Sequence, residues 1–394
     1  MLRPVVGLAL CLHLVVTSEG WLQQQLLYNP SVAYRDGKSH IRRVRSNQHS
    51  KFFCVPLPDD ESKDVSWTND CSPQTIRFLK WLEDEECEGI DSLCIGTSAT
   101  RLRGLFSKEG FEPGDYICSI PFTAALLLHD TVVDSTSDDD EKDCIHQACT
   151  FLEEFSRDPR WKPYVDCLPQ METSNFDPTP DFWVEGIIQD LEIPRLIDET
   201  IRRKKNVAQV AEEKGFDESK LHWATWLVRS RGFTTMKLMS EGRNASPSGI
   251  QSRTFLIPFL DMLNHDDAVP NASIEVVESR EYEESFFALQ AIQPIRPGQH
   301  VTILYGTGLE TSLDLISKYG FFTRKNPNDR RIDWNLVDAC WSTSLEDDVT
   351  SLENLEADLE LCGTAGKDAD RDMLFMLDFR VHLKRLQQLS SSIA

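Results

Sequence analysis

The stretch Arg253–His265, RTFLIPFLDMLNH, decides the reading of this chain. An apolar run with Pro258 inside it ends abruptly in Asp261, Asn264 and His265. That pattern predicts a buried strand delivering polar side chains at its exit, which is how many sites are built on a rigid scaffold. The pattern returns further on: HVTILY over 300–305, Gly306, then an amphipathic segment ending KYGFF over 318–322.

Working outward, the segments around these two strand ends are short and β-like. Ser273–Val277 and Ser285–Ala291 flank the charged turn SREYEE, and QPIRPGQ forms a tight turn before Val301–Leu304. On the N-terminal side, Cys94–Ile95, Gly104–Phe106 and Asp115–Ile120 read as small strands and hairpins, with turns at Glu109-Gly110 and Pro113-Gly114. Ser72–Glu86, SPQTIRFLKWLEDEE, carries a Ser cap, Pro at the first turn and helically spaced apolar residues, so it reads as a surface helix. Between the β-rich parts, helices dominate from Glu141 to Phe233: DCIHQACTFLEEF, PRWKPYVDCLP, FWVEGIIQDL, IDETIRRKKNVAQVAEEK and ESKLHWATWLVRSRGF. Arg229 and Arg231 close the last of these, where cations suit the helix dipole. Ser240–Gly249 reads as a polar loop. After Arg330 come a strand-like IDWNLV and two helical stretches, Leu352–Leu361 and Asp370–Leu389. The fold class is therefore α+β.

Composition narrows the function. A chain of 394 residues that is 40% hydrophobic can bury a full core. With 41 basic and 64 acidic residues it carries a net charge of -23, which opposes phosphate-backbone tracking, so no nucleic-acid partner is expected. The acidic runs Glu83–Glu86 and Asp138–Glu141 read as solvated faces. Eleven cysteines without a CxxC and nine histidines without an HxxxH imply no metal site and little of a disulfide framework. Cys144 and Cys149 read as helix-packing residues. GxGxxG after a strand, GxxxxGK[ST], GxSxG and HExxH are all absent, which removes the main support for dinucleotide, P-loop, nucleophile-elbow and zincin chemistry.

The N-terminus reads as an address. Arg3, the apolar run Val5–Val16 and Ser18-Glu19-Gly20 form a signal-peptide pattern over 1–20, too short for a membrane span. Trp21–Lys51 then holds six Lys/Arg and a single acid, Asp36, so 21–66 is a basic leader that resembles a transit peptide. Together they resemble the two-part address of plastids surrounded by extra membranes; the alternative is secretion or the endomembrane lumen. Under secretion the Asn-Ala-Ser sequons at Asn244 and Asn271 would matter. No stable membrane insertion is expected.

LIPFLDMLNH followed by ALQAIQPIRPGQHVTILYGTGLETSLDLISKYGFF resembles the C-terminal half of a SET domain, the S-adenosylmethionine-dependent protein methyltransferase fold. RSRGF, PRWKPYVDCLP and FWVEGIIQDL resemble the insert of the Rubisco large-subunit methyltransferase-like branch, and RLRGLFSKEGFEPGDYICSIP resembles its N-terminal SET segment. The resemblance implies a β-rich SET fold with a pseudoknot over 67–330, a large helical insert over about 122–250 and a short helical C-terminal region over 331–394. It implies S-adenosyl-L-methionine as cofactor, a monomeric chain, and as partner a non-histone protein bearing the target lysine. It assigns cofactor holding to Leu102, Arg103, Gly104, Arg231, Asn264, His265, Tyr319 and Phe321. It assigns substrate contacts to Asp261, Arg231, Tyr305 and Tyr319, with Tyr305 catalytic.

The chain departs from the family at named positions. Leu102-Arg103-Gly104 stands where GxG is usual, Ile274 stands where the branch carries a tyrosine, and 64 residues follow Arg330, fewer than the branch's C-terminal domain. Phe233, at the end of RSRGF, agrees with lysine as target; protein-histidine methylation and a non-catalytic SET-like binding module are the alternatives.

Overall fold

The computed structural model describes residues 67–99, 102–133, 140–171, 179–240, 247–278, 285–334 and 371–391. Residues 1–66, read above as an address, together with Asn244 and Leu352–Leu361 lie outside them.

The first sheet is built around β1 (Trp67–Asn69), β2 (Leu93–Ser98) and β3 (Arg103–Ser107), which pair antiparallel in that order. Helix α1 (Pro73–Asp84) lies between β1 and β2. Ser72 caps it by accepting from the Thr75 N–H at 3.2 Å, and Phe78, Trp81 and Leu82 form its buried face. Next to the cap, Cys71 is disulfide-bonded, against the expectation from cysteine spacing. Cys94, Cys118, Cys149 and Cys167 are buried.

β4 (Tyr116–Pro121) begins a second sheet, and β5 (Leu126–Val133) leads into the insert. The insert's helices are α2 (Asp140–Arg157), the short α3 (Lys162–Val165) and α4 (Glu185–Gln189), α5 (Pro194–Lys214) and α6 (Glu218–Arg231). The insert is not helical throughout. β6 (Phe233–Ser240) and β7 (Pro247–Leu256) return along β5 to make a separate sheet of order β5-β7-β6. The stretch read as a polar loop over 240–249 thus includes ladder residues, because Met239 pairs with Gly249 and Ser240 with Pro247.

The opening stretch is also not one strand. β7 stops at Leu256, Pro258 cannot donate to a ladder, and Phe259 takes a positive φ of 75° while fully buried. A 3-10 turn over Leu260–Met262 follows, and the two-residue β8 (Asn264–His265) emerges from it. Strain in a buried aromatic costs of order 1–3 kcal/mol and persists where the surroundings fix it. Here the apolar run turns a corner through the core instead of crossing it straight.

β9 (Ala272–Glu278) and β10 (Ser285–Ala291) form a meander that β4 completes, in the order β4-β10-β9. β11 (His300–Ile303) then inserts between β3 and β8, antiparallel to the first and parallel to the second, with Thr302 opposite Asn264 and Ile303 opposite His265. This parallel pairing brings the two strand ends of the sequence reading side by side. Asn271 fixes it: its side chain donates to the His300 carbonyl at 2.8 Å and accepts from the Thr302 N–H at 2.9 Å. Buried and bonded at both amide atoms, Asn271 is no glycosylation acceptor in the folded chain.

α7 (Ser312–Tyr319) starts with a Thr311/Asp314 capping box and stops at Gly320. Ile332 and Asp333 are not in a strand. The C-terminal helix α8 (Arg371–Ser391) packs Met376, Leu377, Phe379 and Leu383 against Trp183, Ile187, Ile188 and Leu191 around α4 and against Ile316 of α7.

Candidate functional site

At the crossing of the two strand ends, Tyr305 is held at both ends of the residue. Its backbone N–H donates to His265 Nδ1 at 3.0 Å, and its hydroxyl donates to the Leu263 carbonyl at 2.6 Å. Burial raises the phenol pKa to about 12, with Arg231 opposing and Asp261 adding to the shift. The hydroxyl is therefore protonated at neutral pH.

Three rings surround it. Tyr319, from the end of α7, has its centroid 4.8 Å from that of Tyr305; His265 lies at 5.2 Å and Phe321 at 6.3 Å, and Phe321 is 5.8 Å from His265. Burial, then Glu310, push the Tyr319 phenol up as well. His265 has its pKa lowered by burial, against the nearby Asp267, Glu310 and Asp266. Because Nδ1 accepts from Tyr305, the neutral ring carries its proton on Nε2.

Asn264 is oriented from the other side. Its Nδ2 donates to the Arg103 carbonyl at 3.0 Å and lies 3.1 Å from His300 Nε2. Both amide protons are thereby used, and Oδ1 has no hydrogen-bond partner among the described residues. Gly104 makes room for this arrangement: a Cβ there would fall 2.5 Å from both Asn264 Nδ2 and His300 Nε2.

Arg231 and Asp261 pair near Tyr305. Arg231 donates through Nη1 to the Asp261 carbonyl at 2.6 Å and lies 3.6 Å from its carboxylate, to which the buried Tyr164 hydroxyl donates at 2.8 Å. Burial raises the Asp261 pKa, opposed by Arg231 and the Tyr164 bond. Asp261 Oδ1 and Arg231 Nε have no hydrogen-bond partner among the described residues. The Asp261 side chain is sealed from solvent.

The predicted residues thus come together with two exceptions. Leu102 is exposed, its backbone closing the β2–β3 turn with Ser98, and the Arg103 guanidinium turns away to Asp70 and the Cys167 carbonyl. Arg103 and Gly104 begin β3, and it is the Arg103 carbonyl that reaches the site. Ile274 is half-buried on β9 and packs on the core.

Sequence reasoning missed Tyr164, His300 and Glu310. The buried Glu310 carboxylate accepts from the Thr307 N–H at 2.8 Å, the Thr307 hydroxyl at 3.1 Å and the Leu309 N–H at 3.0 Å, clasping the loop after Tyr305. Gly306, at φ 59°, lies so close that any side chain would collide with that carboxylate. The string GTGLE held the one available signal, a carboxylate three residues after a small polar residue.

A family model for the SET domain matches residues 102–306, just over half of the chain. The chain belongs to the SET-domain family. No curated relative matches it by sequence. Among solved structures, the SET-like fold of this chain is similar to the SET domain of LSMT bound to methyllysine and AdoHcy, the same domain bound to lysine and AdoHcy, and Rubisco LSMT bound to AdoMet. Each gives a TM-score of 0.51 at 18% identity, covering 82% of this chain and 91% of the other. At that identity the likeness shows the fold alone, and that fold is the SET fold. The site described above therefore sits on a SET scaffold, with Asn264-His265 and Tyr305 both inside the matched region.

Proposed function

We propose that this SET-domain chain is an S-adenosylmethionine-dependent protein-lysine N-methyltransferase acting on a non-histone protein. The observation that carries the reading is the aromatic cluster of Tyr305, Tyr319, Phe321 and His265 beside the unpartnered Asn264 Oδ1. The donor set fits the cofactor's chemistry, because aromatic faces suit a sulfonium and an ammonium, and an amide oxygen accepts from an amino group. Asn264, His265 and the strand edge at Arg103-Gly104 would hold it, with Tyr319 and Phe321 walling the substrate side. When bound, the cofactor supplies an electrophilic methyl group.

The protein's own residues then have two tasks. The first is a neutral amine. A free lysine has a pKa near 10.4, so deprotonation at pH 7 costs roughly 4–5 kcal/mol, and an apolar aromatic channel lowers that cost by disfavouring the ammonium. The second is alignment. Tyr305, protonated and committed as a donor to Leu263, is no base at neutral pH; its oxygen is left to accept an N–H of the incoming amine and fix its direction.

Purified mature chain, labelled cofactor and a protein extract should yield a labelled protein whose acid hydrolysate contains methyllysine. Methylhistidine in its place would sink the lysine assignment. No cofactor binding by calorimetry would sink the enzyme and leave the binding-module reading. No helix among the described residues is long and apolar enough to cross a membrane. We propose plastid delivery by residues 1–66, which a fluorescent fusion of those residues separates from secretion.

A further inference from the structure

His300 is absent from every expectation drawn from the sequence, yet it is built into the site with unusual care. It stands at the start of β11, opposite Phe106 of β3. Its ring stacks on Phe106 with centroids 4.7 Å apart and planes 17° from parallel, and Phe106 in turn stacks on Trp67 at 4.9 Å and 9°. Its carbonyl is held by Asn271. The ring is thus fixed in position and plane, and it presents Nε2 to Asn264 Nδ2 at 3.1 Å.

An amide nitrogen can only donate, so His300 Nε2 must accept, and the ring must be neutral with its proton on Nδ1. That bond does more than hold Asn264 in place. With Nδ2 spent on the Arg103 carbonyl and on His300, the amide has one orientation, and Oδ1 is the atom turned to whatever occupies the site. We propose that His300 is a positioning residue that sets the Asn264 amide as an acceptor for the cofactor's amino group, and that protonating His300 cancels cofactor binding. The inference rests on the methyltransferase reading above.

The consequence of protonation follows from the donor count. A protonated His300 presents Nε2–H to an N–H, so Asn264 is either repelled or turned over, with Oδ1 toward His300. A turned amide meets the Arg103 carbonyl oxygen to oxygen and offers a donor to a ligand ammonium. Both outcomes remove the acceptor. Gly104 leaves no slack, since the space a Cβ would take is the space the Asn264–His300 pair occupies.

The charges around the ring are few. Asp266, just beyond β8, favours protonation, burial opposes it, and burial is the larger effect. The Arg103 guanidinium on β3 is turned away to Asp70. His265 is the other titratable ring at the site, and it is occupied by the Tyr305 N–H.

The test measures S-adenosylhomocysteine binding by calorimetry on the mature chain from pH 5 to 8, with wild type and His300→Gln. Glutamine keeps an acceptor for Asn264 but does not titrate. Wild-type affinity should fall on the acid side with a slope from this one group that approaches but does not exceed about tenfold per pH unit, and that component of the slope should be lost in the variant. An unchanged slope overturns the proposal. Nitrogen-detected NMR of the wild-type ring at pH 7.5 decides independently of whether the variant folds: Nδ1–H supports the proposal and Nε2–H overturns it. If wild type binds no cofactor at any pH, the methyltransferase reading itself has failed, a result distinct from an unaltered slope.

Discussion

The backbone N–H of Tyr305 donates to Nδ1 of His265 at 3.0 Å, so the two polar strand ends of this chain are joined by a hydrogen bond spanning 40 residues. The bond fixes the histidine tautomer, and the Leu263 carbonyl fixes the direction of the Tyr305 hydroxyl. Tyr305→Phe keeps the ring packing and the backbone bond but removes the oxygen. Methyl transfer should fall by roughly 10²- to 10³-fold, the size of losing one oriented polar group. Unfolding free energy should change by only about 1 kcal/mol, the net value of one hydrogen bond. Single-turnover rates and urea titrations on the same preparations check both halves.

Most of the site was legible because its residues sit at the ends of apolar runs. Asn264, His265 and Tyr305 follow stretches that must be buried, and a polar residue at such an exit has few alternatives to a site. The strand assignment around RTFLIPFLDMLNH failed at Pro258 and Phe259, where hydrophobicity alone cannot distinguish a straight strand from a buried corner. Asn271 opens a sequon, and its local string gives no sign that both amide atoms are spent on β11. His300 and Tyr164 act through partners 36 and 97 residues away, a distance at which no local pattern survives. The strands that open and close the insert were hidden because they pair with each other across its helices.

Acid sensitivity of the fold should come in part from His222. It is half-buried and stacks on Phe182, its Nε2 has no hydrogen-bond partner among the described residues, and desolvation lowers its pKa from 6.5 to about 4 despite Asp181. Between those values the unfolded chain takes up the proton and the folded chain does not. Stability therefore falls as pH drops from about 6.5 toward 4, by up to about 1.4 kcal/mol per pH unit, and this contribution levels off below 4. His222→Phe keeps the stacking and should flatten that part of a plot of urea midpoint against pH.

Buried ions tie the insert's own elements together, and one of them also reaches the SET scaffold. Asp181 accepts from Arg203 Nε at 2.7 Å and from Arg229, while Arg203 Nη1 reaches Ser317 of α7 at 3.3 Å. Despite full burial, the two guanidiniums hold the carboxyl far below the usual carboxylate range. Asp181→Asn leaves two buried cations facing a neutral amide, at a cost of about 3–5 kcal/mol. Chemical denaturation should show that loss, whereas Lys80→Ala, which removes an exposed pair with Asp84, should change stability by under about 0.5 kcal/mol.

Gly104 should be the most sensitive small residue for cofactor binding. In Gly104→Ala the added Cβ falls 2.5 Å from Asn264 Nδ2 and from His300 Nε2, and neither atom is the loose end of a flexible chain. His300 is pinned by its stack on Phe106, and Asn264 by the Arg103 carbonyl. The amide is the easier of the two to displace, because its backbone lies on a two-residue strand. Affinity for S-adenosylhomocysteine should therefore drop at least about tenfold, a loss of about 1.4 kcal/mol, with the thermal midpoint lowered by several degrees. Leu102→Gly, two positions away, restores the family's first glycine but alters only an exposed side chain. It should leave affinity within about twofold, as surface substitutions do. Calorimetry on both variants decides the matter: equal binding by Gly104→Ala and wild type would mean that Asn264 does not hold the cofactor.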